Sequence, residues 1–167
     1  MHPTLLRRQW LEHAVIVQLE LLDAGYGDDA TAVLIDELQK ELTERYGGPD
    51  VSPVDPLQFT APTGVFLVAV LDGESVGCVG LRPADEADVE LKRMYVRPGH
   101  RRRGLARLIL AAVEDRARQL GYARVLLETG LEQPEAIALY ESHGYRRITG
   151  FGHYQCEPRS RSYAKTL

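Results

Sequence analysis

The 167-residue sequence has few of the residues that mark specialised protein classes. It contains only two cysteines, Cys78 and Cys156, so no disulfide framework can be read from it, and reduced thiols are the simpler interpretation. It lacks CxxC, HExxH and Cys/His clusters, which argues against a metal. Apolar runs such as residues 65–71 are too short to span a bilayer, and no secretory segment is recognisable. We therefore expect a cytoplasmic protein with no metal and no membrane partner.

The composition is that of an ordinary globular domain. Hydrophobic residues make up 44% and charged residues 26% of the chain, and the length suits one domain over residues 1–167. The net charge is −4, yet residues 97–107 contain five arginines, one histidine and no acid. One basic cluster in a mildly acidic protein predicts a site for a discrete anionic group. It argues against a nucleic-acid partner, which requires basic residues spread over a face.

Apolar periodicity and turn residues predict a mixed sheet with helices on its faces. An early strand is expected at residues 15–20, followed by a helix that begins at Asp28 or Asp29 and ends at Gly47. A loop with a short helical turn should follow, up to residue 62. Further strands are predicted at residues 64–71, 75–81, 89–96 and 125–127, helices at 104–120 and 134–143, and two short strand-like pieces in the tail around Pro158.

A basic loop between a strand and a helix is the most informative segment. Strand 89–96 runs into residues 97–106, and the long helix begins at Gly104. Backbone N–H groups at a helix N-terminus are unpaired and carry roughly half a positive charge. Gly104 and Ala106 leave room for a phosphate, which the arginines would attract. The segment predicts a pyrophosphate-binding loop, with a solvated arginine-rich turn as the alternative. Walker and GxGxxG loops are excluded because their required residues are missing.

Two motifs resemble those of one known family. Residues 101–106, Arg-Arg-Arg-Gly-Leu-Ala, resemble the Gln/Arg-x-x-Gly-x-Gly/Ala signature of the GNAT superfamily of N-acetyltransferases. Residues 133–145 resemble its Asn-x-x-Ala-x-x-Leu-Tyr-x-x-x-Gly-Phe stretch, although Gln133 stands where the family usually has asparagine. The motifs and their strands cover residues 64–150, in the family's order.

The resemblance implies an enzyme that moves an acetyl group from acetyl-CoA, its cosubstrate, to a primary amine by direct attack in a ternary complex. The implied GNAT fold is an α/β, mostly antiparallel mixed sheet of about six to seven strands with about four helices. Its fourth and fifth strands, here 89–96 and 123–128, splay apart around coenzyme A. The implied cofactor-binding residues are Met94, Tyr95, Val96, Arg101, Arg102, Arg103, Gly104, Leu105, Ala106 and Gln133.

Direct transfer needs a base for the amine and an acid for the departing thiolate. Tyr140 holds the family's tyrosine position and is the acid candidate, with simple core packing as the alternative. Glu90 is the base candidate because it resembles the strand glutamate of histone acetyltransferases in this superfamily. An ion pair with Lys92 or Arg82 is the structural alternative for Glu90, and Glu128 or a chain of waters are rival bases.

Strict two-residue alternation predicts which side chains of strand 89–96 share a face. One face should carry Glu90, Lys92, Met94 and Val96, and the other Val89, Leu91, Arg93 and Tyr95.

The acceptor amine is less well defined by the sequence. The resemblance implies that residues 46–59 and 151–163 line its pocket, and the second segment carries an aromatic and cationic group: Phe151, His153, Tyr154, Arg159, Arg161 and Tyr163. A small-molecule amine or amino-acid-like acceptor is expected first, and a protein N-terminus or lysine second. A non-catalytic acyl-CoA-binding module is a further alternative. An exposed sheet edge in the tail is compatible with a homodimer.

Overall fold

The computed structural model describes residues 11–12, 15–16 and 19–167. The strands are β1 (Leu11–Glu12), β2 (Val15–Ile16), β3 (Leu19–Asp23), β4 (Val65–Leu71), β5 (Glu74–Pro83), β6 (Asp88–Val96), β7 (Arg124–Gly130), β8 (Arg146–Arg147) and β9 (Ser160–Thr166). The α-helices are α1 (Asp29–Tyr46), α2 (Leu105–Gln119) and α3 (Pro134–Ser142), and short 3-10 helices cover Pro56–Phe59 and Pro98–His100. The strand expected at 15–20 falls partly outside the described residues.

Seven strands form one mixed sheet, which confirms the predicted fold class. Their order is β3-β4-β5-β6-β7-β9-β8, and only the β6–β7 pair is parallel. We expected about four helices, and the described residues form three α-helices with two 3-10 turns. None of these helices combines the length and apolar character that crossing a membrane requires. Cys78 is buried and Cys156 is exposed, and both thiols are free.

The two faces of the sheet are covered by different helices. Leu34 and Leu38 of α1 pack with Phe66 and Tyr95 on one face. The apolar stripe of α2, which includes Ile109, packs on the other. Burying one stripe of each helix removes apolar surface from water, so the helices are held mainly by the sheet.

Strands β6 and β7 are paired over only part of their length. Residues 88–91 pair with residues 124–127, and beyond them β6 continues to Val96 and β7 to Gly130 without pairing to each other. Each strand remains paired on its other side, β6 with β5 and β7 with β9. The splay predicted for these strands is therefore present, and it opens a gap in the middle of the sheet.

A bulge in β6 accompanies this separation and overturns the predicted alternation of its side chains. Lys92 pairs with Gly80 and Tyr95 with Cys78, so two residues of β6 oppose one of β5. Arg93, at the bulge, has a positive φ of 58°. The inserted residue moves Met94 and Val96 to the face of Leu91, against α2, while Tyr95 packs against α1. The predicted grouping of Met94 and Val96 with Glu90 and Lys92 is wrong for that reason.

Candidate active site

A cavity of about 300 Å³ occupies the gap between the splayed strands. The ends of β6 and β7 form its floor, and the C-terminal half of α1, residues 48–51 and residues 154–160 form its walls. Both segments predicted to line an acceptor pocket reach it, through Tyr46, Asp50 and Val51 and through Tyr154, Glu157, Arg159 and Ser160. Phe151, His153, Arg161 and Tyr163 are not part of its lining.

Tyr140 enters this cavity from α3. It is 6% exposed, and its hydroxyl donates a hydrogen bond to Met94 Sδ at 3.6 Å. The Tyr145 ring lies edge-on to the Tyr140 ring, with centroids 5.6 Å apart, and fixes its orientation. Burial raises the pKa of Tyr140 above its ordinary value, because the phenolate would be poorly solvated. The hydroxyl therefore stays protonated and can act as a hydrogen-bond donor or an acid.

Glu128 is the carboxylate that reaches the same cavity from β7. Its Oε2 is buried and has no hydrogen-bond partner within the described part of the chain. Burial and, to a smaller extent, the nearby charge of Glu90 raise the pKa of Glu128 to about 7, against an opposing effect of Lys92. Such a carboxyl group can gain and lose a proton near neutral pH, as a general base must.

Glu90 is held in an ion pair rather than directed into the cavity. It is 6% exposed and is not part of the cavity lining. The Arg82 guanidinium donates to its Oε2 at 2.7 Å, and Lys92 Nζ lies 3.9 Å from its Oε1. The ion-pair alternative considered for Glu90 is thus what the structure contains. These contacts favour Glu128 over Glu90 as the group that meets an acceptor.

A buried charged cluster, which the sequence did not indicate, forms one wall of the cavity. Lys92 and Arg93, each 8% exposed, both bond to Asp50, and Lys92 Nζ also donates to Ser52 Oγ at 2.8 Å. Burial would raise the pKa of Asp50, but the two adjacent cations outweigh burial and lower it. Asp50 is therefore an anion that balances the charges of Lys92 and Arg93, and it is not suited to act as a base.

Tyr154 connects the two loops beside the cavity. Its hydroxyl donates to Asp50 Oδ1 at 3.0 Å and accepts a hydrogen bond from the Val51 amide at 2.9 Å. In the same loop, a Cβ on Gly152 would lie 2.7 Å from Glu128 Oε1, so the backbone approaches the carboxylate closely there. Gly152 also has a positive φ of 68°, which glycine adopts without strain. This loop thereby shields Glu128 from water.

The predicted phosphate loop has the geometry of an anion site. Gly104, with φ of 78°, precedes α2, and a Cβ there would meet open space. Within the described chain, no hydrogen bond uses the backbone amides of residues 102–106. Arg101 donates to Val96 O at 2.8 Å and to Glu41 at 2.5 Å, so its guanidinium is occupied. Arg102 and Arg103 are exposed and have no carboxylate partner among the described residues. The unpaired amides match what a pyrophosphate needs.

Comparison with known proteins agrees with this geometry. The model of the acetyltransferase (GNAT) family matches residues 33–145, more than half of the chain. The chain belongs to the GNAT family. It is an acyltransferase, and acetyl-CoA-dependent N-acetylation is the general activity of its relatives.

Individual relatives support the same assignment. An IAA acetyltransferase of Azospirillum brasilense is 36% identical over 140 residues, 83% of this chain and 92% of that protein. A crystal structure from Klebsiella pneumoniae, described as an acyl-CoA N-acyltransferase, is 33% identical, with a TM-score of 0.76 over 89% of this chain and 97% of that one. A GNAT acetyltransferase of Elizabethkingia anophelis with acetyl-CoA bound is 19% identical, with a TM-score of 0.65 over 89% of this chain and 98% of that one, and shares the fold. The chain spans 39% to 65% of the length of several further curated relatives.

In this GNAT protein, Gln133 lies at the start of α3 and lines the cavity. Its side-chain Oε1 accepts a hydrogen bond from the Tyr46 hydroxyl at 3.2 Å. Its side-chain Nε2 makes no hydrogen bond within the described residues. The glutamine is therefore positioned by α1, and its contact with the pantetheine arm stays a prediction.

Proposed function

We propose that this chain, as one domain over residues 1–167, transfers the acetyl group of acetyl-CoA to the primary amine of a small molecule. The observation that carries the proposal is the cavity at the β6–β7 splay. Glu128 reaches this cavity from β7 and Tyr140 reaches it from α3. A base and an acid on either side of one gap are what direct acetyl transfer requires.

The cosubstrate would be held by backbone groups. The amides of residues 102–106, with Arg102 and Arg103 nearby, would bind the pyrophosphate. The free edge of β6 from Met94 to Val96, which β7 leaves unpaired, would bond the pantetheine arm as a strand does. Gln133 lines the same gap and would bond the arm from the other side. Acetyl-CoA supplies the activated acetyl group as a thioester.

The protein's own groups would move two protons. Glu128 would take a proton from the acceptor ammonium, so that the neutral nitrogen can attack the thioester carbonyl. Tyr140, which is protonated and hydrogen-bonded to Met94 Sδ, would donate to the departing thiolate. Because Glu90 is paired with Arg82, it is assigned no direct contact with the acceptor.

The size of the cavity favours a small acceptor. About 300 Å³ is near the lower end of the range for small-molecule sites, and the thioester must share this space. The hydrogen bonds between Tyr154 and the segment at Asp50 and Val51 close one side of the cavity. A protein lysine or N-terminus would need this side to open.

Calorimetric titration with acetyl-CoA and with free CoA tests the cofactor assignment. We expect wild type to bind both, and Gly104→Glu to lose binding because its side chain and negative charge occupy the phosphate position. Gly121→Glu is the matched control, since Gly121 lies at the other end of α2, has a positive φ of 91° and also faces open space. It should bind like wild type. An absence of binding by wild type, or equal loss in both variants, would refute the assignment.

A further inference from the structure

Three buried oxygen atoms in the cavity lining have no hydrogen-bond partner within the described residues. They are Glu128 Oε2, Thr129 Oγ1 and Ser160 Oγ, on the neighbouring strands β7 and β9. Buried polar atoms are almost always paired, and leaving one unpaired costs about 1–3 kcal/mol. Those unpaired atoms that face the same compartment therefore indicate a polar ligand that completes their bonds.

Strand register separates these atoms by face. Glu128 pairs with Ser162 and Gly130 with Ser160, so the side chains of Glu128 and Ser160 point to the same side of the sheet. A Cβ on Gly130 would lie 2.2 Å from the Tyr46 hydroxyl, which identifies this side as the α1 side. Thr129 points to the opposite side. The Glu128 and Ser160 oxygens therefore face one compartment, enclosed by α1.

Arg159 brings a positive charge to this compartment. Its guanidinium lies over the Tyr46 ring, 5.4 Å from the centroid. Only its Nε has a carboxylate partner among the described residues, Glu157 at 3.4 Å, and the two side chains are 47% and 42% exposed. Such a pair is weak and is easily exchanged for a ligand. Neither Nη group has a partner among the described residues, so both can bind a ligand. Together they form the planar fork that suits a carboxylate.

The other cations of the cavity cannot serve in this way. Lys92 and Arg93 are buried and bonded to Asp50, so binding a ligand anion would require breaking those bonds. Arg159 is therefore the cavity-lining cation whose donors are free within the described chain. Glu128, on the same side of the sheet, offers a buried carboxylate oxygen that has no hydrogen-bond partner among the described residues.

We propose that the acceptor is a zwitterion, an amino acid or a close analogue, whose carboxylate binds Arg159 and Ser160 and whose amine lies at Glu128. The inference rests on the proposed acetyl transfer. The spacing of the two binding groups agrees with this proposal. Ser160 is the register partner of Gly130, and the Cα atoms of Glu128 and Gly130 are about 7 Å apart along the strand. The amine and carboxylate of an α-amino acid, with one hydrogen bond at each end, span about 8 Å.

The reaction on such an acceptor is balanced by groups already described. The ammonium loses a proton to Glu128, the N–C bond to the acetyl carbon forms, and the thioester C–S bond breaks. The departing sulfur takes a proton from Tyr140, and the second proton that the nitrogen loses as the amide forms returns to the Tyr140 oxygen. Glu128 then releases its proton to solvent. The products are an N-acetyl amino acid and free CoA, and the acceptor carboxylate serves only for binding.

A matched substrate panel tests this inference. Wild type would be incubated with acetyl-CoA and each L-amino acid, its α-amide or its decarboxylated amine, and products quantified by mass spectrometry, which avoids reaction of thiol reagents with the exposed Cys156. We expect kcat/KM for the preferred acid to exceed that of its amide by about 10–100-fold. Arg159→Gln and Ser160→Ala should raise KM for the acid by about tenfold and leave the amide unchanged. Arg146→Gln, an exposed arginine on β8, is the control.

Two results would overturn the inference while the acetyltransferase function stands. One is acetylation of amides or decarboxylated amines, or only of peptide N-termini or lysines, at rates equal to or above the acids. The other is an equal effect of Arg159→Gln on acids and amides. Failure of wild type to bind acetyl-CoA in the calorimetric titration would instead refute the proposed function itself.

Discussion

The rate of acetyl transfer should fall when Glu128 becomes protonated, and the charge of Glu90 should affect the pH at which this fall occurs. Burial, with a smaller contribution from the charge of Glu90, raises the pKa of Glu128 to about 7. A general base works only when deprotonated, so the raised pKa reduces activity on the acid side. We expect kcat/KM of wild type to reach half its maximum near pH 7 and to fall about tenfold per pH unit well below it.

The size of the Glu90 effect follows from strand register. Glu90 pairs with Leu126, and Glu128 lies two residues further along β7, so the Cα atoms of the two glutamates are about 8 Å apart, which we take as the separation of their charges. Two unit charges at that distance repel by about 2 kcal/mol at an effective dielectric constant of about 20. That energy corresponds to about 1.5 pH units. Water in the cavity screens part of it, so Glu90→Gln should lower the midpoint of the profile by about half to one pH unit.

The assay compares four proteins on one acceptor, so that ionisation of the acceptor amine affects all profiles equally. Glu90→Gln should keep its maximal rate and shift its midpoint to lower pH. Glu128→Gln should lower kcat/KM about 100-fold, and its kcat/KM should no longer fall as the pH drops below 7. Glu86→Gln changes an exposed glutamate of the β5–β6 turn and should leave the profile unchanged.

A different ranking would refute this reasoning. If Glu90→Gln abolished turnover while Glu128→Gln kept it, Glu90 would be the base despite its pairing with Arg82. If Glu90→Gln left the midpoint in place, the two carboxylates would not be coupled, and burial would raise the pKa of Glu128 without a contribution from Glu90.

Three further changes test neighbouring features. Tyr140→Phe should lower kcat by about 10–100-fold with unchanged acetyl-CoA affinity by calorimetry, whereas Tyr145→Phe should keep kcat, because only the first hydroxyl lines the cavity. Asp50→Asn leaves a buried lysine and arginine without their anion, so urea denaturation should show a loss of about 3–5 kcal/mol. Gly152→Ala should reduce kcat/KM because its Cβ displaces the Glu128 carboxylate, while Gly73→Ala, also at positive φ but in open space, should cost stability alone.

Local sequence patterns predicted much of the fold. The α2 stripe from Leu105, the glycine before it and the β4–β5 hairpin depend on residues close in the chain, and each was found within a few residues of its predicted bounds. The geometry of the loop at Gly104 belongs to this group, because a glycine at a helix start determines the geometry of its own amides, and phosphate binding there stays a prediction. Tyr140 was singled out by its motif, and the structure brings it to the cavity.

The predictions that failed or remained open depend on contacts between distant segments. Asp50 bonds to β6 across 42 or 43 residues and to Tyr154 across 104, and no periodic pattern reports such pairs. The choice of Glu128 over Glu90 as the base depends on Arg82, which forms an ion pair with Glu90 and, among the described residues, leaves Glu128 free of one. The hydroxyl of Ser160 also gives no signal in the sequence, because its lack of a hydrogen-bond partner can be recognised only when its neighbours in space are known.

The bulge at Arg93 connects these separate features. An inserted residue reverses the alternation, so Lys92 faces the charged cluster on the α1 side while Met94 faces Tyr140 on the α2 side. Bulges also increase local twist, and here pairing between β6 and β7 ends at Leu91, just before the bulge. In a regular strand, Met94 would lie with Lys92 on the α1 side, and Tyr140 would lose its contact with Met94 Sδ. One extra residue therefore places different side chains on the two sides of the gap, and the proposed function uses one side for the thioester and the other for the acceptor.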